Sequence, residues 1–139
     1  MTLHRTAIVH TSISSPPQQL IAYLSDLNNW RSWAPWVHSV NRSSDRDWTV
    51  ETDVGQMHMR FVETNSLGVL DHDVTLSSGL TVHNSMRVLR NGSGSELVMV
   101  LFQSPGVSND VFARDIQAVT DDLARLKGVA ETLTEKGGQ

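Results

Sequence analysis

The stretch SNDVFARDIQAVTDDLARLKGVAETLTE, residues 108–135, determines how the rest of the chain must be arranged. Its apolar side chains recur every three or four positions, at Val111, Phe112, Ile116, Val119, Leu123, Leu126, Ala130 and Leu133. In a helix of about 3.6 residues per turn, that spacing produces one continuous apolar face. At about 1.5 Å per residue the helix would be roughly 40 Å long. We therefore expect the preceding chain to supply a surface on which this face packs.

The chain before this helix consists mainly of segments in which apolar and polar residues alternate, as they do in half-buried strands. A helix predicted to begin at Pro16, capped by Ser15, and a second short helix over residues 26–33 follow the first of these segments. The alternating segments are 4–14, 47–54, 57–64, 69–77, 80–90 and 95–103. The sequence therefore predicts an α+β fold in which a curved antiparallel sheet closes around the long C-terminal helix.

Composition and charge limit the kinds of partner. With 39% apolar and 19% charged residues, the chain is expected to form one globular domain over residues 1–139, with a disordered tail at 136–139. Eleven basic and fifteen acidic residues give a net charge of −4 with no basic stretch, so no nucleic-acid partner is expected. There is no cysteine, which excludes disulfides and thiolate chemistry.

Hydropathy and motifs predict neither a membrane span nor a cofactor site. No apolar run approaches the roughly 18 residues of a membrane span, and no signal peptide is recognised, so we expect a cytoplasmic protein without membrane insertion. The segment Asp71-His72-Asp73 suggests a metal site, but adjacent strand residues point to opposite faces and cannot share one ion. No phosphate-binding or dinucleotide motif is present. Neither a metal nor a cofactor is therefore expected.

Turn residues predict how the strands pair. Gly55-Gln56 places glycine first in a two-residue loop, which is typical of a type II′ turn and would pair Trp48 with Glu63. Because side chains alternate between the two faces of a sheet, such registers also define an inward-facing set. With Val119 of the helix, the predicted apolar lining of the interior comprises Trp33, Trp48, Met59, Phe61, Met86 and Met99.

Three of the four tryptophans lie close together, at Trp30, Trp33 and Trp36. Their rings could fill one end of the core, or they could form the aromatic wall of a ligand pocket, for which large flat rings are suited. Both roles are compatible with different rings of the cluster.

A small polar group is predicted inside the apolar interior. The loop 65–68 would place Phe61 opposite His72, and the turn 77–79 would place His72 opposite Asn84. In these registers Glu63 lies diagonal to His72, within reach of its side chain. On the helix, Asp115 would project toward the same region, whereas Asp121, Asp122, Arg125 and Lys127 are predicted to form a solvated face.

His72 has two interpretations. A buried histidine is usually satisfied by a structural hydrogen bond, and in that case it would orient a ligand together with Asn84. Alternatively, His72 acts as an acid or base with Glu63 or Asn84 fixing its tautomer.

The order of elements resembles that of the SRPBCC superfamily, which includes START domains, birch-pollen-allergen-like proteins and polyketide cyclase-like proteins. The residues that carry this resemblance are Ser15-Pro16-Pro17, the segment 33–37, the segment 68–74 and Phe112-Ala113-Arg114-Asp115, and the last two resemble those of an uncharacterised bacterial subgroup. The resemblance implies a helix-grip fold: a curved antiparallel sheet of about seven strands wrapped around a long C-terminal helix, with two short helices after strand one. It also implies a deep apolar cavity.

Three functions remain open at this point. The first is the binding of a small hydrophobic or amphipathic molecule of lipid, polyketide or aromatic type, with inward methionines giving an adaptable lining. The second is an enzyme of cyclase, dehydratase or hydrolase type that uses His72. The third is a protein-interaction module, or a homodimer, that uses the apolar outer side of the last strand at Val98, Val100 and Phe102.

Overall fold

A computed structural model describes residues 2–137 and shows an antiparallel sheet and a long C-terminal helix. The seven strands lie in the order β1-β7-β6-β5-β4-β3-β2. Helix α1 and a short 3-10 helix, Leu27–Ser32, connect β1 to β2. The elements are β1 Thr6–Ile13, α1 Pro17–Ser25, β2 Val37–Arg42, β3 Asp47–Thr52, β4 Gly55–Phe61, β5 His72–Thr75, β6 Thr81–Asn91, β7 Gly94–Phe102 and α2 Asn109–Gly137.

Helix α2 presents the predicted apolar face to the interior. Phe112, Leu123, Leu126 and Ala130 are buried, so the spacing of the sequence identified the packed side of the helix. Residues 136 and 137 of the predicted tail belong to α2, while residues 138 and 139 lie outside the described residues.

The start of α1 differs slightly from the prediction. Pro16 occupies the cap position with ψ of 146°, and no side chain caps the helix. Ser15 is buried, and its carbonyl accepts a hydrogen bond of 2.7 Å from Ser95 Oγ. Ser15 therefore joins α1 to β7 and does not cap the helix.

The hairpin between β3 and β4 corrects the predicted register. Its turn is Asp53-Val54, so Trp48 pairs with Met59 and not with Glu63. The Thr52 hydroxyl stabilises this turn, because it donates to the Gly55 carbonyl at 2.7 Å. The error displaces each partner by an even number of residues, which leaves the side chains within β3 and β4 on their predicted faces.

The next two pairings agree with the prediction. Phe61 lies opposite His72, and His72 lies opposite Asn84. Gly79 adopts a φ of 91° in the turn between β5 and β6, the left-handed conformation that its position requires. These registers fix which side chains enter the interior beside His72.

Strand β2 does not appear among the segments predicted from alternation. It lies at the sheet edge, pairs only with β3, and carries just two apolar residues, Val37 and Val40. In β7, which lies next to the opposite edge strand β1, Val98 and Val100 are half-buried on the outer face, and Phe102 is half-exposed. The homodimer contact expected on that strand stays a prediction.

Candidate functional site

A cavity of about 480 Å³ lies between the sheet and α2. Its walls are mainly apolar, with the tryptophan cluster on one side and Val119 and Leu123 of α2 on another. Leu80, Phe102 and Asp115 are exposed lining residues, so the cavity opens between the β5–β6 turn and the beginning of α2. The volume lies within the range of small-molecule sites, about 300–1,000 Å³.

Most residues predicted to contact a ligand meet in this cavity. The structure brings together Trp33, Met59, His72, Asn84, Met86, Met99, Asp115 and Val119. These side chains come from the 3-10 helix region, β4, β5, β6, β7 and α2. The correct inward alternation along the strands explains why so many of them were found.

Three predicted site residues lie elsewhere. Trp48 belongs to a separate pocket of about 80 Å³, where the Arg42 guanidinium lies 5.5 Å from the centre of its ring. Phe61 lines that same small pocket and packs beneath His72 with ring centroids 4.8 Å apart. The side chain of Glu63 is 86% exposed and lies 4.0 Å from Arg46. The structure therefore does not bring Glu63 to His72.

His72 is held in one tautomer by the backbone. The ring is 3% exposed, and its Nδ1 lies 3.0 Å from the Leu70 carbonyl oxygen. Because a carbonyl only accepts, Nδ1 carries the hydrogen. Burial lowers the pKa of His72, and the bond to the Leu70 carbonyl opposes that shift more weakly. The ring is thus neutral near pH 7, and the Leu70 carbonyl, in place of Asn84 or Glu63, fixes its tautomer.

The lowered pKa of His72 should make stability depend on pH. Below the ordinary histidine pKa of about 6.5, the unfolded chain binds a proton that the folded chain excludes. We therefore expect the free energy of unfolding to fall as the pH drops below about 6.5, by at most about 1.4 kcal/mol per pH unit from this group. His72→Asn should lose that component, because its side chain does not titrate. Urea unfolding of both proteins at about pH 7.5 and about pH 5.5 measures the difference, and equal losses would contradict the assignment.

Asp122 lies at the wall of the cavity, so its prediction on a solvated face was wrong. It is only 8% exposed and lines the cavity. Trp36 Nε1 donates to its Oδ2 at 2.9 Å, and Arg125 Nη2 donates to its Oδ1. Arg125 Nε also donates to the Trp33 carbonyl at 3.0 Å. This network attaches the tryptophan segment to α2 and so fixes the distance between two walls of the cavity.

The tryptophan cluster both packs in the core and lines the cavity. Trp30 and Trp33 are buried in the core with ring centroids 4.9 Å apart, and Trp36 is half-buried. All three rings also line the cavity. The spacing of three residues in the sequence gave the signal, because the 3-10 helix and the turn after it carry the rings to one side.

The side chains of Asp71, His72 and Asp73 do not converge on one point. The Asp71 carboxylate is buried and accepts hydrogen bonds from Arg87 Nε at 3.0 Å and Arg87 Nη2 at 2.9 Å. The hydrogen bond from Arg87 is the main reason that the pKa of Asp71 is lowered. Within residues 2–137, histidine, aspartate and glutamate side chains form no group of three that could hold a metal ion. None of the helices described could span a lipid bilayer.

Solved structures share this fold at low sequence identity. The Aha1 dimer from Colwellia psychrerythraea is 11% identical with a TM-score of 0.74, and the alignment covers 91% of this chain and 96% of that one. An uncharacterised protein from Bacillus thuringiensis is 13% identical with a TM-score of 0.73, covering 91% and 98%. The protein Ara h 8.0201 is 12% identical with a TM-score of 0.70, covering 92% and 98%. These likenesses show that the chain shares their helix-grip fold.

A family profile gives a more specific result than the fold. No curated protein matches the chain. The family described as polyketide cyclase / dehydrase and lipid transport matches residues 5–131, which include every strand and most of α2. The chain therefore belongs to the polyketide cyclase / dehydrase and lipid transport family.

Proposed function

We propose that this protein binds a small, mainly apolar molecule in the cavity between the sheet and α2. The observation that carries the proposal is the open volume of about 480 Å³ beside a mainly apolar wall. A well-packed core leaves few voids larger than a water molecule, so a space of this size indicates room for a ligand. The family to which the chain belongs supports a lipid or polyketide as the occupant.

The methionines of the wall favour a ligand whose shape is not narrowly specified. Met57, Met59, Met86 and Met99 all line the cavity. Their unbranched thioether side chains adapt to irregular apolar surfaces better than branched ones. We infer that ligands of similar size and polarity bind with similar affinity when they differ only in apolar shape.

A second candidate is an enzyme in which His72 removes a proton from a bound polyketide. The neutral ring supports a base with Nε2 as its reacting atom, and the absence of Glu63 from the cavity argues against the acid–base pair expected from the sequence. With a polyketide substrate, His72→Asn should lower turnover by about 100-fold or more while ligand binding persists. Unchanged turnover would exclude this candidate.

The cytoplasmic location stays a prediction.

Filling the cavity should weaken ligand binding. Val82 is half-buried on β6 and points into the cavity, and a tryptophan fits the backbone of a strand. We expect Val82→Trp to weaken the binding of the neutral fluorescent probe N-phenyl-1-naphthylamine by at least about tenfold, or about 1.4 kcal/mol. Fluorescence titration of the purified protein measures the dissociation constant, and circular dichroism verifies that the variant is folded.

Val98→Trp provides the matched control. Val98 is half-buried on the opposite face of the neighbouring strand β7, so the same substitution there leaves the cavity open. The dissociation constant of Val98→Trp for N-phenyl-1-naphthylamine should stay within about twofold of the value for the unaltered protein. If folded Val82→Trp binds the probe as tightly as Val98→Trp, the ligand site is not this cavity.

A further inference from the structure

The three tryptophans of the cavity wall use their indole N–H groups differently. Trp30 Nε1 donates to the Leu24 carbonyl at 2.9 Å, and Trp36 Nε1 donates to Asp122 at 2.9 Å. Trp33 Nε1 is shielded from solvent and has no hydrogen-bond partner in residues 2–137. Leaving a buried donor unpaired costs about 1–3 kcal/mol, and most buried polar groups have a partner. Trp33 lines the cavity, so a molecule bound there is the candidate for the missing acceptor.

His72 has an unpaired hydrogen-bond acceptor, where Trp33 has an unpaired donor. Its Nδ1 already donates to the Leu70 carbonyl, so the neutral ring carries an unshared electron pair on Nε2. No group in the described part of the chain donates a hydrogen bond to Nε2. The ring lines the same cavity as Trp33. His72 therefore offers the cavity an acceptor, whereas Trp33 offers it a donor.

The two residues lie against one common ring. The Trp30 ring centroid is 4.9 Å from that of Trp33 and 5.8 Å from that of His72. The residues with the unused donor and the unused acceptor thus both pack against Trp30, and both line the cavity. A hydroxyl group satisfies both, because its oxygen accepts one hydrogen bond and its hydrogen donates another.

Building on the proposed function, we infer that the ligand is a neutral, mainly apolar molecule whose hydroxyl group accepts a hydrogen bond from Trp33 Nε1 and donates one to His72 Nε2. A ketone or an ether could satisfy only Trp33. A carboxylate is disfavoured, because Asp115 and Asp122 also line the cavity and the chain has a net charge of −4. Phenols and hydroxylated polyketides or lipids meet the requirement.

Three naphthalenes that differ in one substituent test this inference. 1-Naphthol can make both hydrogen bonds, 1-methoxynaphthalene can only accept from Trp33, and 1-methylnaphthalene can make neither. Each hydrogen bond to an otherwise unpaired group should contribute about 1 kcal/mol. We therefore expect 1-naphthol to bind at least about tenfold more tightly than 1-methylnaphthalene, with 1-methoxynaphthalene between them. Isothermal titration calorimetry with the protein in the syringe gives the three constants.

Variants assign each preference to its residue. In Trp33→Phe, 1-methoxynaphthalene should lose its advantage over 1-methylnaphthalene. In His72→Asn, which keeps a donor for the Leu70 carbonyl, 1-naphthol should lose its advantage over 1-methoxynaphthalene. Trp48→Phe is the control, because it removes a buried indole outside the cavity and should leave all three ratios unchanged. Because the three dissociation constants are compared within one variant, a change in the cavity that weakens all three naphthalenes equally does not alter their ratios.

The outcomes separate the inference from the proposed function. If the three naphthalenes bind the unaltered protein with equal affinity, the hydroxyl assignment is wrong although the cavity still binds apolar molecules. If none of them binds and N-phenyl-1-naphthylamine does not bind either, the proposed function itself is wrong. The affinities of the three naphthalenes for the unaltered protein test the hydroxyl assignment even if a variant fails to fold.

Discussion

Replacing Gly68 by alanine is expected to lower the free energy of unfolding by about 3 kcal/mol or more. Gly68 has a φ of 76°, and a Cβ atom added there would lie 2.1 Å from the carbonyl oxygen of Val88. The neighbouring backbone cannot easily withdraw, because the Val88 amide donates to the Gly68 carbonyl at 2.9 Å. The substitution therefore combines an unfavourable backbone conformation with a backbone clash. The segment it disturbs leads directly into β5, which carries His72.

Gly79→Ala is the matched control for this prediction. Gly79 has a similar positive φ of 91°, but an added Cβ would meet nothing within 4 Å. Gly79→Ala should therefore lower the free energy of unfolding only by the cost of the left-handed backbone conformation, about 1–2 kcal/mol. Urea unfolding of the two variants gives both values. Equal losses would show that the close approach of Gly68 to Val88 does not contribute.

Asp122→Ala should have the second-largest effect, a loss of about 2–3 kcal/mol in the free energy of unfolding. The substitution removes the acceptor of the Trp36 indole N–H and the ion-pair partner of Arg125. The Trp36 indole N–H then lies without its acceptor at the wall of the cavity, while Arg125 keeps only its hydrogen bond to the Trp33 carbonyl. The Arg125 side chain is partly exposed and can recover some hydration, which keeps the expected loss below that of a fully buried pair.

The adjacent carboxylate offers a stringent comparison for Asp122. Asp121 is exposed and accepts a hydrogen bond of 2.8 Å from Gln117 one turn earlier in the same helix. Asp121→Ala should change the free energy of unfolding by no more than about 0.5 kcal/mol. Thermal or urea unfolding of both variants measures the contrast. A loss for Asp121→Ala that equals the loss for Asp122→Ala would mean that the network around Trp36 does not hold α2.

Much of the fold could be predicted because burial leaves a periodic signal in the sequence. Phe112, Leu123 and Leu126 recur at helical spacing, and α2 buries that face. The turn around Gly79 fixed the pairing of His72 with Asn84, because few loop geometries fit three residues with glycine at the left-handed position. These two signals position the helix and the centre of the sheet.

Weak or ambiguous local signals account for the errors in the fold. Strand β2 lies at the edge of the sheet and has only two apolar residues, so its alternation of apolar and polar residues is weak. In the β3–β4 hairpin, Gly55 lies just after the turn and not inside it. Turn composition alone does not distinguish two positions of a tight turn that keep the same inward face.

The candidate site was predicted well where it depends on strand alternation and poorly where it depends on the ends of elements. Met86 and Met99 lie in the cavity because their inward direction follows from period two. Glu63 was assigned to a strand that ends at Phe61, so its side chain lies in solvent. Because Asp122 is charged, the sequence predicts that it lies on the surface. Only the folded structure shows that Trp36 and Arg125 donate hydrogen bonds to its carboxylate.

The central claim is that the cavity between the sheet and α2 binds an apolar molecule. Titrating 1-naphthol into 15N-labelled protein and following the four indole N–H signals tests it most directly, with Trp→Phe variants assigning each signal. We expect the signals of the cavity residues Trp30, Trp33 and Trp36 to move, that of Trp33 the most, because it gains a hydrogen bond. The Trp48 signal, which belongs to a side chain outside the cavity, should stay in place. If only the Trp48 signal moves, or if no indole signal moves up to the solubility limit of the probe, the claim is contradicted.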